Sequence, residues 1–217
     1  MDTHSAEIPR LTSFYFEYLQ NHDTGRLIDR TAKIYALPTI LRLAESSRPE
    51  TRRAAALVLG LVGTYRANSV LGRLLSDPDR SVRLLAENSI KNVWPRDGSE
   101  EQRHTLTEIM RLIGQQDFEE AVRLANNLLD EYPLFVEVRN QRAIALFALG
   151  EFQDSIEDSA IVLDLNPYHF GAAIGMGHAY LQLGNKELAV FSFQHALRIN
   201  PNLETVRRHL EQIKQQS

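Results

Sequence analysis

The sequence predicts an all-α solenoid in which two kinds of helical repeat follow one another, and three observations carry that reading. The motifs "DEYP", "DLNP" and "RINP" close three successive segments, with Pro133, Pro167 and Pro201 each 34 residues apart, a helix-turn-helix repeat length. Upstream, "PTILRLAESSRPETRRAAALVLGLV" overlays "SVLGRLLSDPDRSVRLLAENSIKNV" with an offset of 31. Within both regions the apolar residues recur at helical spacing between turn signals. With 217 residues, 43% hydrophobic and 24% charged, the chain can bury a substantial core.

Taken in order, residues 13–35 read as a divergent first helix pair whose Phe14, Tyr15, Phe16 and Tyr18 cover an open end of the stack. In the 31-residue overlay, Ile40 meets Leu71, Ala55 meets Ala86, Leu59 meets Ile90, and Arg52 meets Arg83. This first array is expected to occupy 13–94. The stretch "VWPRDGSEEQ" then stops one helix at Pro95 and Asp97-Gly98 and starts the next with a Ser99/Gln102 capping box. So short a junction predicts one continuous right-handed superhelix with Trp94 buried at the seam. The second array, 100–217, alternates helices with turns at "GQQDF", "GEF" and "GNK". After Pro201, "LETVRRHLEQIKQQ" reads as an amphipathic capping helix with a polar outer face.

The second array resembles the tetratricopeptide (TPR) family. Its third unit has Gly177 and Tyr180 in the first helix, Gly184 at the turn, and Ala189, Phe193 and Ala196 before Pro201. The second keeps Ala143, Leu146, Gly150, Phe152 and Pro167 but places Ser155 and Ser159 where the family prefers alanine and an aromatic. The first keeps Phe118, Ala121 and Pro133, with Ile109 at the small-residue site. "DPDRSVRLLA" resembles the helix junction of short HEAT repeats of the bilin-lyase type, and the pairing of two such arrays is similar to that in uncharacterised bacterial proteins. The HEAT resemblance implies that Arg52 and Arg83 tie neighbouring repeats together through an acidic residue, Asp77 or Asp79. The TPR resemblance implies a non-enzymatic scaffold or adaptor.

Composition removes several function classes. Zero cysteines exclude disulfides, thiolate nucleophiles and cysteine-ligated metal. There is no Gly-rich phosphate loop, GxSxG or HExxH, and the seven histidines are scattered, so neither a cofactor nor a metal is expected. His169, His178 and His195 read as surface or groove residues, and the pairs Glu119/Glu120 and Glu157/Asp158 as solvated charge. The N-terminus lacks a secretory pattern, and the longest apolar run, Ala54 to Gly63, is too short to span a bilayer; a cytoplasmic protein is expected. Residues 26–96 carry 13 Lys/Arg against 6 Asp/Glu, whereas residues 97–217 carry 10 against 18. The chain is therefore basic in its middle and acidic in its C-terminal half.

Two surfaces stand out as candidate sites. In the TPR family the first helix of each repeat lines a concave face, which here would present Asn140, Gln141, Ile144 and Phe147 from the second repeat and Gly171, Ile174, Gly175, His178 and Gln182 from the third. The first repeat would add Arg103, Leu106, Thr107 and Met110. Such a mixed polar and apolar groove suits a peptide or partner protein, while the lysine, asparagine and arginine set of a carboxylate clamp is absent. Gly171, Gly175 and Gly177 each cost a helix about 1 kcal/mol relative to alanine. Gly177 is expected to be a packing requirement, the other two to open the groove. The second surface is a basic face of Arg42, Arg48, Arg53, Arg66, Arg73 and Arg80, the alternative site, for nucleic acid or an acidic partner. Nucleic acid is disfavoured because Tyr65 is the sole aromatic there that bases could stack on. An acidic protein surface, of which the C-terminal half of another copy is one, is at least as good a candidate partner as nucleic acid.

Overall fold

The computed structural model describes residues 8–215. Among them are thirteen α-helices and no strand, and the contacts divide the chain into two units between Val93 and Trp94.

The first unit contains α1 (Arg10–Asn21), α2 (Thr24–Ala32), α3 (Leu37–Leu43), α4 (Pro49–Val62), α5 (Asn68–Leu74) and α6 (Arg80–Val93). Helices α4 and α6 form its centre. Ala54, Ala55 and Ala56 are fully buried, and Gly60 lets the backbone of α6 come so near that an added Cβ would stand 2.8 Å from Ser89 Cα. The overlaid pairs Ile40/Leu71, Ala55/Ala86 and Leu59/Ile90 are all core. The 31-residue period also reappears in the hydrogen bonds. Arg52 Nη1 donates to the carbonyls of Ser46 (2.9 Å) and Ser47 (3.1 Å), and Arg83 Nη1 to those of Asp77 (2.9 Å) and Pro78 (3.2 Å). Each guanidinium satisfies carbonyls of the turn that leads into its own helix. Arg52 also grips Asp77 of the next repeat through two bonds of 2.7 and 2.8 Å. Of the four aromatics expected to cover the open end, Phe14 and Tyr15 are buried, with the Arg30 guanidinium 4.1 Å above the Phe14 ring. Phe16 remains 46% exposed, with its ring 5.9 Å from that of Tyr15, and Tyr18 is half-buried.

The second unit begins with a 3-10 turn, Trp94–Arg96, followed by α7 (Glu100–Gly114), α8 (Phe118–Glu131), α9 (Val136–Leu149), α10 (Phe152–Leu165), α11 (Phe170–Gln182), α12 (Lys186–Ile199) and α13 (Glu204–Gln215). These are three helix pairs and a last helix. The Ser99/Gln102 capping box is formed. Gly150 (φ 86) and Gly184 (φ 75) turn the second and third pairs in the left-handed region, but the first pair uses Gln116 (φ 65) rather than Gly114. At Gly177 a Cβ would lie 2.6 Å from Phe193 Cε1, so its missing side chain is what lets α11 and α12 meet. Helix α13 closes the far end by burying Val206, Leu210 and Ile213 against Ala189 and Phe193.

Candidate functional site

Between α9 and α11 a cavity of about 110 Å³ opens over α10, lined by Asn140, Ala143, Ile144, Phe147, Ser155, Ser159, Gly171, Ala172, Gly175 and His178. Absent bulk makes it. Ser155 and Ser159 supply the floor, and Ser155 Oγ turns back to donate to the Ala143 carbonyl at 2.8 Å. Above them Gly175 contributes no side chain; a Cβ there would have nothing nearer than Ser159 Oγ at 3.8 Å. Ile144 and Phe147, three residues apart on α9, form an apolar wall. None of the ten lining residues carries a formal charge while His178 is neutral.

His178 closes one edge. Its ring meets Phe193 edge-on at 5.1 Å and lies 5.3 Å from the ring of His209 on α13. Burial, and secondarily the neighbouring His209, hold its pKa below the ordinary histidine value, so the neutral ring is the form that fits the fold.

Beside the cavity a polar network lies buried at the starts of α9 and α11. Glu137 accepts from Gln141 Nε2 at 2.7 Å and Asn140 Nδ2 at 3.2 Å. His169 caps α11 by accepting the Ala172 N–H on Nδ1 at 3.0 Å. Its hydrogen therefore sits on Nε2, 3.3 Å from Glu137 Oε2. Trp94 stacks on the His169 ring with centroids 4.0 Å apart and planes 19° apart, and touches Phe170. The network holds Asn140 and Gln141 in place.

Of the nine residues expected on the concave face, six line this cavity: Asn140, Ile144, Phe147, Gly171, Gly175 and His178. Gln141 is instead tied to Glu137, and Ile174 packs toward the core around Phe193. Gln182, the last residue of α11, is exposed and lies beyond it. Leu106 of the first repeat is core, not groove. His169 corrects the expectation of a surface or groove histidine, being 1% exposed, because its ring is covered by Trp94 and bonded to the buried Glu137. Asp158 is likewise not solvated charge: it is 4% exposed and takes two bonds of 2.7 Å from Arg142 and one of 3.0 Å from Arg139.

The basic face is less free than its charge count suggests. Arg53 pairs with Asp79 and Arg73 with Glu45, and Arg48 is half-buried with partners of its own. Arg42, Arg66 and Arg80 are exposed. Among the described residues no group of three or more His, Asp or Glu could hold a metal ion, and no helix is long and apolar enough to cross a membrane.

Comparison with known proteins follows the division seen in the structure. Residues 25–91 match HEAT repeats, and residues 106–170 and 172–203 match the tetratricopeptide repeat. A TPR repeat-containing protein of Rhizobium etli is 28% identical over 141 residues, covering 63% of this chain and 66% of its own. The chain thus spans just under two thirds of that relative's length. Among solved structures, the first TPR of Spaghetti (RPAP3), bound to the HSP90 peptide SRMEEVD, is similar with a TM-score of 0.52 and 23% identity, over 54% of this chain and 94% of that one. YrrB, a TPR protein with an unusual peptide-binding site, has a TM-score of 0.49 and 15% identity over 92% and 98% of the two chains.

Proposed function

Starting from a protein built of HEAT repeats at 25–91 and tetratricopeptide repeats at 106–203, we propose that it is a non-enzymatic scaffold whose concave TPR face binds a peptide or a segment of a partner protein. The observation that carries this reading is the uncharged cavity between α9 and α11. Helices pack to interior density unless something prevents it, and here four small residues, Ser155, Ser159, Gly171 and Gly175, keep a pocket open on the face that TPR proteins use for partners. Its size and apolar wall suit one aliphatic side chain, while the buried Ser159 hydroxyl adds a polar contact on the floor.

Phage display of random peptides on the wild-type protein tests it. Enriched peptides should lose at least about tenfold in affinity on Gly175→Leu, equivalent to about 1.4 kcal/mol, and keep it on Arg42→Ala. Equal binding to Gly175→Leu would refute the assignment. The nucleic-acid alternative rests on Arg42, Arg66 and Arg80, and predicts retention on DNA or RNA that falls steeply with salt.

A further inference from the structure

A second surface of the TPR unit is open, apolar and acidic at once. At the end of α8 two adjoining cavities of about 330 and 230 Å³ share Tyr132, Gln102 and Glu131. Leu134, in the turn after α8, is 71% exposed, and Tyr132 is 43% exposed. Asp97, Glu101 and Glu131 stand around them, and no Lys or Arg lines either cavity. Elsewhere in this unit Glu108, Glu120 and Glu204 each have an arginine three residues on; Glu101 and Glu131 belong to none of the described ion pairs. Helix α8 even ends on Asp130 and Glu131 with no basic residue in its last turn, where the helix dipole already makes carboxylates unfavourable. A cation docked there would relieve that repulsion.

The complementary chemistry is present in the same chain. Arg80 and Leu84 lie four apart on α6, both exposed, the leucine at 37%, so they share a face. Arg80 belongs to none of the described ion pairs, and its surroundings, residues 26–96, carry the surplus of positive charge. We propose that the α6 face bearing Arg80 and Leu84 of one copy docks on the Tyr132–Leu134 surface of a second copy, with arginine against Glu131 and Glu101 and leucine against Leu134. Because the two patches differ, the contact is head-to-tail. Each added copy leaves a free patch at either end, and assembly continues with concentration. This proposal does not depend on the concave cavity.

Sedimentation velocity of the full chain tests it. The sedimentation coefficient should rise with protein concentration at about 50 mM salt and stay at the monomer value at about 500 mM, where charges beyond a few ångströms are screened. Glu101→Lys with Glu131→Lys should abolish the rise, as should Arg80→Glu with Leu84→Ser. Glu131→Lys and Arg80→Glu both place the favoured charge at their helix ends, which offsets the disfavoured charge that Glu101→Lys places in the first turn of α7, so circular dichroism and thermal melts should show both variants folded. An equimolar mixture of the two should recover association, since each retains one working patch that fits the working patch of the other and the two reversed patches are themselves opposite in charge. A wild-type monomer at every concentration, variants that assemble as wild type does, or a mixture that stays monomeric would each overturn the proposal.

Discussion

Gly177 and Gly175 lie two residues apart in α11, and the same substitution should move stability in opposite directions. In Gly177→Ala the new Cβ meets Phe193 Cε1 at 2.6 Å and two further ring carbons at 2.8 Å. Phe193 is fully buried and hemmed by the rings of His178 and His209, so it has little room to yield. Overpacking of this kind costs about 1–3 kcal/mol, against a helix-propensity gain of at most about 1 kcal/mol. The net expectation is a loss of about 1 kcal/mol, within a range of about 0–2. Gly175→Ala meets nothing closer than 3.8 Å and keeps the whole propensity gain. In urea unfolding followed by helical circular dichroism, the two variants should bracket wild type and differ by about 2 kcal/mol, a separation of roughly 4–8 °C in Tm. If Gly177→Ala were as stable as Gly175→Ala, the close approach of α11 and α12 would not be what that glycine is for.

Asp77→Ala should be the costliest loss among the ion pairs of the first unit. The pair it forms with Arg52 is 5% and 13% exposed, and breaking such a pair costs about 3 kcal/mol or more, visible as a thermal shift of roughly 6–12 °C; Arg73→Ala, whose pair with Glu45 is about half exposed, should cost under about 1 kcal/mol. Acidification should weaken the fold in two stages of the same sign. His178 resists protonation in the native state, so the unfolded chain takes the proton first and stability declines as pH falls through the ordinary histidine range. Asp79, held at about 2 chiefly by its hydrogen bond from Arg53, contributes stability that is complete above about pH 4 and lost as pH falls toward 2. His178→Gln should flatten the first slope and Asp79→Asn the second in pH-dependent melts.

The repeat architecture was readable because both periods are written in residues that the fold uses locally. Pro133, Pro167 and Pro201 mark turns, and Arg52 and Arg83 each bind the carbonyls immediately upstream. The role of Gly177 followed from the TPR resemblance, which sets a small residue against an aromatic one helix away, a pair that the third unit keeps and the first two do not. The concave residues were legible to the extent that the first-helix rule holds, which explains Asn140, Ile144 and Phe147. What the rule could not supply was the floor: Ser155 and Ser159 show only as departures from the expected alanine and aromatic, and the space they leave exists once three helices are assembled around it. The Glu137–His169–Trp94 network was opaque for a related reason. Its members are far apart in sequence, and Glu137 and Asp158 look like surface acids until the arginine, histidine and amide partners arrive from other helices.

The stacking of Trp94 on His169 gives the molecule a built-in optical gauge. It is the chain's one tryptophan, and an indole held flat against an imidazole in a buried setting emits differently from one released into water. Its emission therefore reports on the start of α11, beside the open cavity, and not on the chain as a whole. An occupant that shifted Asn140 or Gly171 would disturb the same stack, so binding is readable in unlabelled protein by exciting the indole alone.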